Sequence, residues 1–212
     1  MQIRFWLVVA LMMFSRLHGN AQSIQPFYTL EDVIFKPELL GRWNLDGVSL
    51  EFRDSGQNTY GITMLGEDGF ALHFRAHLIR IRHNYFLDGQ ISGVDIPEKD
   101  SGDGKGKVQS EKSGASVSFD LDEHDIFLNR HHGLLLVDFS DDPDEFTLHA
   151  WQDEFLPTLA AKKKLSCPFV KDEMGRILLT GSTTQLRAFV TRLPRDAFDG
   201  GETLTRNKAN QH

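Results

Sequence analysis

The chain has 212 residues, and its 30 Asp and Glu against 23 Lys and Arg give a formal net charge of −7. No basic stripe interleaves with aromatic residues, which argues against a nucleic-acid partner. The one cysteine, Cys167, leaves no internal disulfide to form, so stability has to come from packing.

The chain opens Met1-Gln2-Ile3-Arg4, runs from Phe5 to Phe14 without a charged or polar side chain, and then offers the small residues Gly19 and Ala21. This is the layout of a signal peptide cleaved after Ala21. The apolar run is shorter than the roughly 20 residues a membrane span requires. The expectation is therefore an exported chain, secreted or periplasmic, with no stable membrane span. Residues 1–21 are the signal, 22–198 form one domain, and the polar stretch 199–212 is a disordered tail.

Period-two alternation dominates from Trp43 to Trp151, which makes the fold class mainly β. Trp43 and Leu45 share one phase while Val48, Leu50 and Phe52 take the other; a β-bulge at Asp46-Gly47 accounts for the switch within one strand. Asp54-Ser55-Gly56-Gln57-Asn58 and Glu67-Asp68-Gly69 are turns that flank a strand through Tyr60, Ile62 and Met64. Phe70, Leu72, Phe74, Ala76 and Leu78 then line one face, opposite His73, Arg75 and His77. Beyond Leu78 the apolar positions shift to Ile79 and Ile81. Tyr85 to Ile91 completes a four-strand meander.

From Ser92 to Gly114 the Gly-, Ser- and charge-rich composition predicts a flexible loop. Strands follow at Ala115 to Leu121, Ile126 to Arg130, Leu134 to Phe139 and Phe146 to Trp151. The last two flank a turn at Asp141-Asp142-Pro143-Asp144. A helix then carries Phe155, Leu156, Leu159 and Ala160, with Pro157 in its first turn and Lys162, Lys163 and Lys164 at its negative end. A returning strand, Ile177 to Thr180, leads into a second helix that starts at a Ser182/Gln185 capping box. Its apolar stripe is Leu186, Phe189, Val190 and Leu193, and Pro194 stops it.

Gly41-Arg42-Trp43 at the mouth of the first strand, after the compact turn Phe35-Lys36-Pro37-Glu38-Leu39-Leu40, resembles the lipocalin-like group of small barrels. The order of meander, helix and returning strand from Phe35 to about Thr180 is similar as well. The resemblance implies an antiparallel up-and-down barrel of about eight strands, with the returning strand pairing with the first and a C-terminal helix after it. It also implies that Trp43 closes one barrel end and that an arginine beyond the last meander strand packs across it. Gln152 and Asp153 follow Trp151, so Arg176 is the nearest candidate for that arginine.

No catalytic set stands out. His73 and His77 share a face, but four residues of strand put them roughly 13 Å apart, too far for one zinc. The neighbourhood of His124, Asp125, His131 and His132 has adjacent histidines pointing to opposite faces. The carboxylates Asp138, Asp141, Asp142, Asp144 and Glu145 could attract calcium, but turn chemistry also favours them there. No Gly-x-Ser-x-Gly elbow, P-loop or dinucleotide fingerprint occurs, and no cofactor is expected. The interior positions are Trp43, Tyr60, Ile62, Phe74, Leu87, Phe119, Leu135 and Phe146, which either fill the core or contact one small ligand. The expected role is a binding protein for an apolar or amphipathic small molecule. An exported hydrolase with its site at the barrel mouth, and an envelope interaction protein with a filled barrel, are the alternatives. The sequence leaves the oligomeric state open.

Overall fold

The computed structural model describes residues 21–45, 48–66, 69–95, 131–152, 154–171 and 176–208. The expected signal segment before Ala21, residues 96–114 of the expected loop, Phe119 and the strands expected at 115–121 and 126–130 lie outside the described residues. So do His124 and Asp125.

In chain order the strands are β1 (Ala21–Ser23), β2 (Val33–Ile34), β3 (Gly41–Leu45), β4 (Val48–Asp54), β5 (Thr59–Leu65), β6 (Ala71–Ile81), β7 (Asn84–Asp95), β8 (His132–Phe139) and β9 (Glu145–Trp151). Helix α1 (Phe155–Ala161), β10 (Phe169–Lys171), β11 (Ile177–Leu179), helix α2 (Thr183–Val190) and β12 (Phe198–Arg206) follow. Strands β3 to β9 pair in sequence, and β12 pairs antiparallel with both β9 and β3. Eight antiparallel strands therefore close into a barrel with no free edge in the ring.

Four expectations need correction. The phase switch after Leu45 is a chain reversal, because Leu45 pairs with Val48 and Trp43 with Leu50. A two-residue link containing Asp-Gly is a preferred hairpin connection, and each strand then starts its own phase. Second, the returning strand β11 does not pair with β3. It runs parallel to β1 and antiparallel to β10, and β1 joins this small extension to β8.

Third, the polar tail after Phe198 supplies the closing strand β12. Among residues 200–206 only Leu204 is buried, so the stretch reads as polar although its backbone completes two ladders. Fourth, residues 92–95, expected in the loop, belong to β7. His73 pairs with Gly93 and Phe74 with Ile91, leaving Ser92 as the extra residue of a bulge.

Two apolar layers explain the shift after Leu78. The barrel interior holds Trp43, Leu50, Phe52, Tyr60, Ile62, Met64, Leu78, Leu87, Phe146 and Leu204 among others. A second cluster coats the outer wall, with Ile79, Ile81, Phe86, Leu134, Leu136 and Trp151 against Leu156, Leu186, Phe189 and Val190 from the helices. Consecutive residues Leu78 and Ile79 are both fully buried, one facing inward and one outward. Helix α2 starts at the expected capping box, where the Ser182 hydroxyl accepts from the Gln185 N–H and the Gln185 side chain accepts from the Ser182 N–H. Its Phe189 ring lies parallel to Trp151, 6.2 Å away between centroids.

Candidate functional site

The two barrel ends differ in chemistry. At the end where β3 begins, the segment Ile34 to Leu40 crosses the barrel and packs its apolar side chains against the interior. Trp43 Nε1 donates to the Leu39 carbonyl (2.8 Å), and Phe146 meets the Trp43 ring edge-on at 4.6 Å. The buried Tyr60 hydroxyl accepts from the Lys36 N–H (2.7 Å) and donates to the Lys36 carbonyl (3.1 Å). Aromatic bulk thus plugs this end, and the polar tips of the plug are satisfied by the crossing backbone.

The arginine that seals the plug is Arg206, not Arg176. Its guanidinium lies 4.3 Å from the Trp43 ring centre, donates to the Leu40 carbonyl (2.9 Å) and the Glu38 carbonyl, and pairs with Asp144 (2.9 Å). Arg206 is directly opposite Trp43 in the ladder between β12 and β3. This arrangement also accounts for Gly41: its φ is +118°, and a Cβ there would meet the Arg206 guanidinium at 3.2 Å. Asp144, in the expected β8–β9 turn, also holds Lys208 (2.7 Å). Hydrogen bonds from Lys208 and Arg206 keep its carboxyl below the usual range.

Toward the opposite end the interior is hollow. An apolar cavity of about 70 Å³ is lined by Leu50, Phe52, Ile62, Met64, Phe74, Ala76, Leu87, Gly89, Gly133, Leu135 and Leu148. Half-buried Val48, Phe70, Ile91 and Val94 pack at the same end. A row of small residues creates the space, since Ala76 pairs with Gly89 and Gly89 with Gly133 across three adjacent strands. Nothing in the backbone demands glycine at position 89. Its φ lies outside the left-handed region, and an added Cβ would meet only the Ala76 Cβ at 3.5 Å and the Arg75 carbonyl at 3.8 Å, ordinary contacts.

Of the interior residues expected from sequence, Ile62, Phe74, Leu87 and Leu135 line the cavity, whereas Trp43, Tyr60 and Phe146 belong to the plug. The small residues of the lining were not expected, because glycine in a strand reads as a bulge or a packing defect.

Two histidines belong to a polar contact set outside the cavity. On the outer wall His77 bridges the Tyr28 hydroxyl (2.8 Å) and Thr59 Oγ1 (2.9 Å), while buried Asp88 takes the Phe27 N–H (2.9 Å) and His132 Nδ1 (2.5 Å). Burial lowers the His77 pKa, and burial followed by the Asp88 charge pushes the Tyr28 hydroxyl up to about 12. Ser23, cross-strand from His132, is fully buried and donates its hydroxyl to the Gln25 carbonyl. These groups fasten residues 23–32 to the wall, helped by a bidentate Asp32–Arg187 pair at 2.7 Å. Cys167 is buried beside Gly181, and burial raises its thiol pKa.

Among the described residues no group of three or more His, Cys, Asp or Glu is arranged to hold a metal. No helix among them is long and apolar enough to cross a membrane. Fold and cavity together define a closed eight-stranded antiparallel barrel, plugged at one end and hollowed by an apolar cavity toward the other. No family model, curated protein or solved structure matches the chain.

Proposed function

We propose that the protein is an exported, lipocalin-like binding protein that takes an apolar or amphipathic small molecule into the open half of its barrel. The observation that carries this reading is the Gly89 position. Glycine inside a strand costs roughly 0.5–1 kcal/mol relative to alanine, and here no turn, positive φ or close approach requires it. What the missing side chain provides is space, in a lining with no titratable group. Binding there proceeds by burial, the same term that drives folding.

The plug supports the lipocalin-like part of the reading, since Arg206 packs on Trp43 beside the crossing segment. The hydrolase alternative needs titratable groups converging on the cavity, and none lines it, while the His77, Asp88 and His132 contacts lie on the outer wall. The volume bears on ligand size. An apolar cavity of about 150 Å³ admits benzene, so one of about 70 Å³ admits a chain tip of roughly three carbons with the remainder against the half-buried rim. Native mass spectrometry of protein recovered from its producing cells, with lipid extraction of the same sample, tests the reading. A co-purifying small molecule is expected. A clean apo mass with no extractable compound would favour the filled-barrel interaction protein.

A further inference from the structure

The hollow ends where the plug begins, and one side chain belongs to both. On β5, Ile62 and Met64 line the cavity, while Tyr60, the next inward position, sits in the plug. On β9, Leu148 lines the cavity and Phe146 sits in the plug. On β4 the boundary falls within a single residue. Phe52 lines the cavity, and its ring also meets Tyr60 edge-on at 6.3 Å and Phe146 edge-on at 6.0 Å. Phe52 is the floor of the hollow.

This floor is held from behind. The Tyr60 hydroxyl is bonded to the Lys36 backbone on both its donor and acceptor sides, and the Phe146 ring packs against Trp43. A close-packed aromatic layer of this kind yields little to a group pressed against it. The ladder partners of Phe52 are Ile62 on β5 and Gly41 on β3, and Gly41 has no side chain to fill the space that a smaller residue at position 52 would leave. The lining also sets the shape of what fits. The cavity of about 70 Å³ is less than half the roughly 150 Å³ that admits benzene, so a single extended chain enters where a ring does not. Because the lining consists of aliphatic, aromatic, methionine and glycine residues, a polar head group would lose its hydration there without gaining a partner and stays at the open end.

We infer that Phe52 is a chain-length stop: the barrel takes an unbranched alkyl chain tip first and selects it by the number of carbons that fit between Phe52 and the open end. This rests on the binding reading above and narrows the ligand to single-chain amphiphiles recognised by their tail rather than their head group.

The test is calorimetric titration of the wild type, Phe52→Leu and Phe52→Ala with 1-butanol, 1-hexanol, 1-octanol, 1-decanol and cyclohexanol. Burial predicts that affinity for the wild type rises roughly fourfold with each added methylene until the tip meets Phe52, after which longer chains gain little. In Phe52→Leu, and further in Phe52→Ala, the rise should continue to longer chains, while the shorter alcohols bind no tighter than to the wild type. Cyclohexanol should bind the wild type at least tenfold more weakly than 1-hexanol. A rise that never levels off in the wild type, or that ends at the same length in Phe52→Leu, would overturn the stop while leaving the cavity reading intact. So would a variant that binds every alcohol tighter alike, which marks a loosened barrel, or cyclohexanol bound as tightly as 1-hexanol. Failure of every probe to bind the wild type would overturn both readings. Phe52→Leu keeps an apolar side chain in the core, so the test does not depend on Phe52→Ala folding.

Discussion

Replacing Arg206 with alanine tests how the barrel is closed. The guanidinium donates to two backbone carbonyls, Leu40 and Glu38, and covers the Trp43 ring at 4.3 Å. Each carbonyl bond contributes about 1 kcal/mol net, and a partly buried cation–π contact about 1 kcal/mol more. The exposed Asp144 end of the clamp adds nothing to this sum, because solvent screens it. Arg206→Ala should therefore lower unfolding free energy by about 3 kcal/mol, read from urea denaturation followed by tryptophan fluorescence. Combining it with Trp43→Leu should show coupling of about 1 kcal/mol, because both changes remove the same contact. A midpoint unchanged by Arg206→Ala, or strict additivity with Trp43→Leu, would refute the clamp and return the C-terminal segment to the status of a loose tail.

Trp43→Ala removes the centre of the plug and should cost about 3–5 kcal/mol through the cavity left behind, measured in the same denaturation assay. Phe189→Asp places a carboxylate against Trp151 on the outer wall and should destabilise the fold while leaving affinity for an interior probe unchanged in the folded fraction. Unchanged stability together with loss of a partner complex would instead make α2 an exposed recognition element. The lowered His77 pKa means that the unfolded chain binds the extra proton first, so stability should fall as pH drops below about 6.5. His77→Asn should flatten that part of the stability–pH curve, and an identical curve in the variant would contradict the assignment. For Tyr28 the sign reverses: its contribution is full below the unfolded value of about 10 and is lost as pH rises toward 12, which spectrophotometric tyrosine titration should follow.

The meander was legible because one face of each strand is apolar and because Asp, Gly and Asn punctuate the turns. Helix α2 was legible from local chemistry alone, since the Ser182/Gln185 box and the stripe through Phe189 need no distant partner. The illegible parts depend on long-range contacts. Strand β12 hides in a polar stretch where, over residues 200–206, only Leu204 is buried, and its pairing with β3 and β9 appears only once the ring is closed. Arg206 was missed for the same reason: 163 residues separate it from Trp43. At Ile79 and Ile81 the pattern broke because the outer wall is buried too, which a single period-two rule cannot anticipate. In the cavity, the large members Ile62, Phe74, Leu87 and Leu135 came from alternation, whereas Gly89 and Gly133 act through what they lack.

The most direct measurement of the central claim is the affinity of a polarity-sensitive apolar fluorophore for the wild type and for Gly89→Leu. The first added carbon fits at ordinary contact distance from Ala76, so the remaining three carbons extend into the hollow without breaking the β6–β7 ladder. The account predicts saturable binding to the wild type, at least a tenfold loss in Gly89→Leu, and an unfolding midpoint equal to or above that of the wild type. Equal affinity in the two proteins, or a wild type that does not bind the fluorophore, would contradict it.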